Sequence, residues 1–298
     1  MNPAATKANL LSRIDGLDRI PTMPAVLAPL LRYVQAPVEP LDGQRVTDMI
    51  VQDKSLAAQC LQMANSPLFG RHRIDSLRGA LAGLGVHGVS DIAMSCGVLN
   101  LMPKDSGGKG IDPVIFWQHS LGCALVCRHF ARKISYPDPS KAYLAGLLHD
   151  LGIIVNLRVV PKEFCEAYEF ARARGIPLHE AEQAVLGFTH CESGRLLADK
   201  WELSNDLKEV VSLHHSLQQS NHAGLVALVE LSDLLCRMGG LNYGYLENRQ
   251  VNLFEQTGFA VLSQQCQSLK DLDWARLTFE MDSYLDPVHA LVRTIYRT

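Results

Sequence analysis

No stretch of this 298-residue sequence reads as apolar for long enough to cross a membrane. Its first segment, MNPAATKANLL, has no signal-peptide core either. The expectation is a cytoplasmic protein with no membrane partner. Excess charge is also missing: 28 Lys and Arg face 31 Asp and Glu, for a formal net charge of −3. A balance of that kind gives no global attraction to nucleic acid or to an anionic bilayer. Residues 1–110 carry eleven basic and nine acidic residues, so charge is not concentrated there. There is no C-x-x-C pair among the eight cysteines (Cys60, Cys96, Cys123, Cys127, Cys165, Cys191, Cys236 and Cys266). Most fall in apolar helical stretches, where a free thiol packs as a small hydrophobe. Cys123 and Cys127 do lie at steps of four from His119, which leaves thiolate ligation there as an alternative. No internal repeat and no low-complexity segment is evident.

Strand alternation is lacking as well, and nearly every segment has helical period instead. Between Ser55, a candidate cap, and Asn65, residues Leu56, Cys60, Met63 and Ala64 mark one face. Val114, Trp117, Leu121, Ala124, Leu125 and Phe130 define a longer helix, and Leu225, Leu228, Val229 and Leu235 another. Breakers separate the runs: IPTMP at 20–24, APVEP at 36–40, PKDSGGKGIDP at 103–113 and YPDP at 136–139. The expected fold is all-α, with a dozen or more helices. A 47% hydrophobic composition suits one large or two ordinary domains. The 103–113 segment is the best boundary. It divides an N-terminal helical subdomain, 1–110, from a second helical subdomain with C-terminal helices, 111–298.

The chemistry concentrates in the second part. His119 lies in WQHSLG, His149-Asp150 in LLHDLG, His190 in FTHCESG, His214-His215 in SLHHSL and Asp233 in ELSDLL. Imidazoles and carboxylates that converge from separate helices are how an all-helical fold builds a metal site. Successive helical residues point about 100° apart. His149 and Asp150 therefore share one pocket only near a helix end, which Gly152 is expected to supply. The other histidines, among them His72, His87, His129, His179, His222 and His289, match no motif and read as surface or core residues.

The order His…His-Asp…His…His-His…Asp resembles that of the HD superfamily of metal-dependent phosphohydrolases. By that resemblance His119, His149, Asp150 and Asp233 hold one ion. His190, His214 and His215 look like ligands of a second, with Asp150 as the bridge. The earlier part resembles the HDOD family, the HD-related output domains of bacterial signalling proteins. That likeness rests on Pro21 and Pro24, Asp53 and Leu56, Ala64-Asn65-Ser66, and Ala80 with Leu84-Gly85, and it runs over roughly residues 10–240. The structural reading of these residues stands beside it. The prolines open a helix, Asn65 closes one in a left-handed conformation, and Gly83 and Gly85 permit a turn or close approach.

The mixed donors suit one or two transition-metal ions, with iron favoured over manganese or zinc. Binuclear HD enzymes that cleave cyclic di-guanylate carry a phosphate-contacting lysine after HD-x-G and a later Gly-Tyr-Pro run. Here Ile153 stands at the first position, and HHSLQQSNHAGL offers no such run. The resemblance therefore implies a bacterial signalling protein that acts mainly through a protein partner. The alternative is a metal-dependent phosphohydrolase acting on a nucleotide or cyclic dinucleotide. Arg71, Arg73 and Arg78 are read as a solvated basic face, with no nucleic-acid partner.

Overall fold

The computed structural model describes residues 21, 23–25, 27–35, 40–69, 73–102 and 110–296. Most of the 103–113 boundary segment, residues 36–39, Ile20, Arg71 and His72 lie outside them. Among the described residues there are more than a dozen α-helices, three short 3₁₀ turns and no strand.

Two of the breakers turn out to be helix starts. The Asp112 carboxylate accepts from the Val114 N–H to open α5 (Pro113–Lys133), and Asp138 accepts from Lys141 to open α6 (Pro139–Leu148). Each is followed by a proline at the first helical position, where no N–H is needed. Upstream, α1 (Leu27–Gln35), α2 (Gly43–Val51) and α3 (Lys54–Ala64) pack on the long α4 (Leu77–Leu99). The expected face of α3 is the buried one, formed by Leu56, Cys60, Met63 and Ala64. Its cap is Asp53 rather than Ser55, since the Asp53 side chain takes both the Ser55 and the Leu56 N–H. Asn65 is not left-handed (φ −85°). It closes the helix with its side chain, which donates to the Leu61 and Ile74 carbonyls and accepts from the Ile74 N–H. Gly85 does carry a positive φ of 72° and kinks α4. Gly83 has nothing near its missing Cβ, so no close approach requires it.

The second part is layered around α5. Helices α6, α12 (Ala223–Met238) and α14 (Trp274–Tyr296) pack against it. Then α7 (Leu151–Val159) meets α10 (His190–Lys200), α8 (Pro161–Arg174) meets α9 (Leu178–Val185), α11 (Asn205–Leu213) meets α10, and α13 (Thr257–Gln265) covers α12. Helix α5 is buried from Phe116 to Cys127, more completely than a one-sided apolar stripe implies. Two helical spans, Leu77–Leu99 and Pro139–Val159, are long and apolar enough to cross a membrane, contrary to the sequence expectation. The second is 94% buried inside the fold, so its apolarity is used for the core.

One hydrophobic core runs from Leu27 to Ile295 across the expected subdomain boundary. Buried polar ties reinforce it. The Trp117 indole N–H donates to the Ser95 carbonyl at 3.3 Å, Ser95 and Tyr143 share a 2.8 Å hydrogen bond, and Arg128 pairs with Asp91. Farther out, the Trp201 indole N–H donates to the Pro21 carbonyl, and the Gln35 amide bonds both the Glu202 carbonyl and the Ser204 N–H.

The tightest approach is between α7 and α10. A Cβ on Gly152 would stand 1.7 Å from the His190 carbonyl oxygen, which is backbone and cannot step aside. Gly152→Ala is therefore expected to cost about 3 kcal/mol in a denaturant melt, the upper range for overpacking. Gly83→Ala, in open space on a helix, is expected to stabilise by about 0.5–1 kcal/mol in the same measurement.

Candidate metal centre

Five helices each deliver a part of the site. His119 projects from the middle of α5 and Asp233 from α12. His149 caps the C-terminal end of α6, and Asp150 precedes α7. His190 is the first residue of α10, and His214 ends α11. A reciprocal cap fixes the start of α10: Thr189 accepts from the helix backbone while Glu192 accepts from the Thr189 N–H. The helix break at His149-Asp150 is real, but Gly152 does not make it. Asp150 itself leaves helical geometry (φ −95°, ψ 16°), and Gly152 lies inside α7.

Asp150 is the centre of the cluster and is 1% exposed. Its Oδ2 lies 3.5 Å from His119 Nε2 and 3.3 Å from His149 Nε2. Its Oδ1 lies 3.4 Å from His190 Nε2 and 3.6 Å from His214 Nε2. Asp233 Oδ1 is 3.3 Å from His119 Nε2, on the first side. The two imidazole pairs stand Nε2 to Nε2, at 3.4 Å for His119–His149 and 3.2 Å for His190–His214. Donor atoms bound at 2.0–2.1 Å to a common ion would be separated by about 3.0–3.4 Å.

The outer nitrogens settle which ring atoms face inward. His119 Nδ1–H donates to the Leu241 carbonyl (2.7 Å), His149 to Gly146 (2.8 Å) and His214 to Val210 (2.9 Å). His190 Nδ1–H donates to the Glu182 carboxylate (2.6 Å). With a proton fixed on Nδ1, each ring turns its Nε2 atom toward Asp150, the arrangement that metal-binding histidines adopt. Asp150 Oδ1 has no hydrogen-bond partner although it is fully buried. A carboxylate oxygen surrounded by lone pairs is costly unless a cation joins them. The donor set and its orientation fit one or two metal ions.

The electrostatics agree. Burial alone would raise Asp150, but the imidazoles of His149, His214 and His190 outweigh it and hold the carboxyl well below its ordinary range. Asp233 is likewise held far down, against burial, by Arg237 and His119. Burial opposes charge on His119, His190 and His214. Asp233 nevertheless raises the first, Glu182 raises the second, and Cys191 with Asp150 brings the third up to about 10. The pocket is thus built to hold positive charge at its Nε2 atoms, as protons or as metal.

Several participants carried no usable motif. Tyr243, kept neutral by burial and by the Asp150 and Asp233 charges, hydrogen-bonds Asp150 Oδ2 and lies 3.3 Å from His119 Nε2. Glu182, fully buried, accepts from the His190 N–H and ring and from the Asn156 amide. Arg237 pairs with Asp233 and Glu247, and the i,i+4 spacing to Asp233 was the one signal available. His215 sits at the edge of the cluster. Its ring stacks at 4.0 Å on His179, a residue first read as having no part in the site. Burial lowers His179 to about 3, and burial with His179 lowers His215, so both rings are neutral. They line a cavity of about 180 Å³ that also meets His214, Asp233, Arg237 and Arg249. Cys123 and Cys127 face each other at 4.0 Å and pack inside the apolar core, with burial pushing both thiols up.

The sequence profile of the HDOD domain matches residues 20–217, and the chain belongs to the HDOD domain family. A crystal structure of an HDOD domain protein of unknown function from Geobacter sulfurreducens is similar over 97% of both chains, with a TM-score of 0.81 and 26% identity. A candidate phosphohydrolase from Shewanella amazonensis SB2B is similar in fold (TM-score 0.71, 20% identity, 95% of this chain and 97% of that one). An uncharacterized protein of Treponema pallidum is 25% identical over 232 residues, 75% of this chain. The chain spans 43% of that relative's length.

Glu182→Gln keeps the size of the side chain and removes the charge that orients His190. Isothermal titration of metal-free protein is expected to show one binding step weakened about 10–100-fold, the usual cost of losing such a partner.

Proposed function

We propose that this is a bacterial signalling HDOD protein whose HD-like centre holds one or two transition-metal ions and whose output passes through a partner protein. The observation that carries the reading is the arrangement around Asp150, where four inward lone pairs and an unpartnered buried oxygen call for a cation. His119, His149 and Asp233 would hold an ion on the Oδ2 side of Asp150, and His190 and His214 one on the Oδ1 side, with His215 beside it. Iron suits the nitrogen and oxygen donors, with manganese or zinc as alternatives. When bound, such ions supply Lewis-acid charge to a phosphate or a water. We place the protein in the cytoplasm, with no nucleic-acid or membrane partner. Arg73 pairs with Asp75 in solvent and Arg78 is exposed, in keeping with a solvated face.

A second reading, a phosphohydrolase acting on a nucleotide or cyclic dinucleotide, is favoured by the cavity beside the centre. Arg237 and Arg249 line it and could meet an anionic ligand. Against turnover of cyclic di-guanylate stands Ile153, which is fully buried in the core where a phosphate-binding cation would be needed.

Elemental analysis of protein purified without added metal should find one or two transition-metal ions per chain, lost in Asp150→Ala. The loaded protein should leave cyclic di-guanylate intact over a long incubation. Turnover at enzymatic rates that disappears in Asp150→Ala would make the hydrolase reading the right one. For the partner, affinity capture from a bacterial lysate with the full chain should recover a specific protein equally well with Arg71, Arg73 and Arg78 replaced by Ala. Salt-sensitive binding to duplex DNA that is lost in the triple variant would overturn that part.

A further inference from the structure

Among the described residues, one buried cysteine has different surroundings from the rest. Cys60, Cys96, Cys123, Cys127, Cys236 and Cys266 all belong to the hydrophobic core, whereas Cys191, only 7% exposed, does not. It follows His190 at the start of α10, and its Sγ lies 3.8 and 3.9 Å from the two ring nitrogens of His214. Its sulfur and single nitrogen atoms of His190, His214 and His215 all lie within 4.8 Å of one another. A tetrahedral ion with nitrogen at 2.0–2.1 Å and sulfur at 2.3 Å separates those donors by about 3.6 Å, a few tenths of an ångström less than the 3.9 Å from Cys191 Sγ to His214 Nε2.

A further observation separates this thiol from a packing residue. The unpartnered Asp150 Oδ1 points at the same two imidazoles, at 3.4 and 3.6 Å, so an independent buried donor is aimed into the same space.

We propose that Cys191 ligates, as a thiolate, the ion held by His190 and His214, and that the two halves of the centre therefore take different metals. The proposal rests on the metal-binding reading above. Its half contains sulfur and selects zinc. The half made by His119, His149 and Asp233 offers only nitrogen and oxygen and takes the harder iron or manganese, with Asp150 shared. Ligation replaces the thiol proton, which leaves to solvent, and no electron is transferred.

The test uses the full chain loaded with cobalt(II) and, separately, with zinc. Wild-type protein should show a near-ultraviolet thiolate-to-cobalt charge-transfer band. Cys191→Ser should lose that band and one equivalent of zinc while keeping the other ion, and Cys165→Ser should retain both. X-ray absorption at the zinc edge of the wild-type protein should show a sulfur neighbour near 2.3 Å, and this needs no variant to fold. Two bound ions with no charge-transfer band, or a zinc shell of nitrogen and oxygen alone, would overturn the thiolate assignment and leave the metal centre standing. No uptake of any ion by wild-type protein would overturn both.

Discussion

A single carboxylate with no access to water organises this molecule. Asp150 is surrounded by four imidazoles that arrive from four directions, and each ring is locked from behind by a carbonyl or by Glu182. Burying such a group without compensation would cost several kcal/mol. The fold compensates by bringing α5, α6, α10 and α11 to one point, with α12 adding Asp233. The helix break at His149-Asp150 is what lets two adjacent residues face the same point. The rest of the C-terminal half can be understood as the packing needed to keep these ends together.

Much of this was legible in the sequence because donor residues and helical periods are both local signals. The face of α3 and the seven candidate ligands could be named from spacing and order; His119, His149, His190 and His214 gather on Asp150, with Asp233 against His119 and the His215 ring beside His214. What was not legible depended on pairing between distant segments. Glu182 looks like any surface glutamate on a short helix until α9 is laid against His190 eight residues on. Tyr243 follows a Gly-Gly turn and reaches Asp150 across 93 residues of chain. His179 had no motif because it meets His215 only in three dimensions. Caps were misjudged for a related reason: Asp53 and Ser55 are both capping residues, and only backbone geometry chooses between them.

Apolar periodicity also understated burial. Helices α5 and α12 show a stripe in the sequence, yet they are covered on nearly all sides because small residues allow close neighbours. Gly146 admits the backbone of α5, and Gly152 admits that of α10. These contacts explain why a span hydrophobic enough for a bilayer is instead the interior of a helical protein. The same crowding keeps the core continuous from α1 to α14.

Helix α5 has two faces with different neighbours. His119 meets Asp150 and Asp233 on one side, while Trp117, two residues earlier, bonds the backbone of α4 through Ser95. About three turns further on, Arg128 pairs with Asp91 on that same neighbouring helix and lies over the Tyr143 ring. A close-packed helix moves as a rod because its side chains have no free volume in which to absorb a shift. Anything that draws His119 inward by a fraction of an ångström must therefore pull on α4 at two points, and α4 is the helix on which the whole N-terminal layer rests.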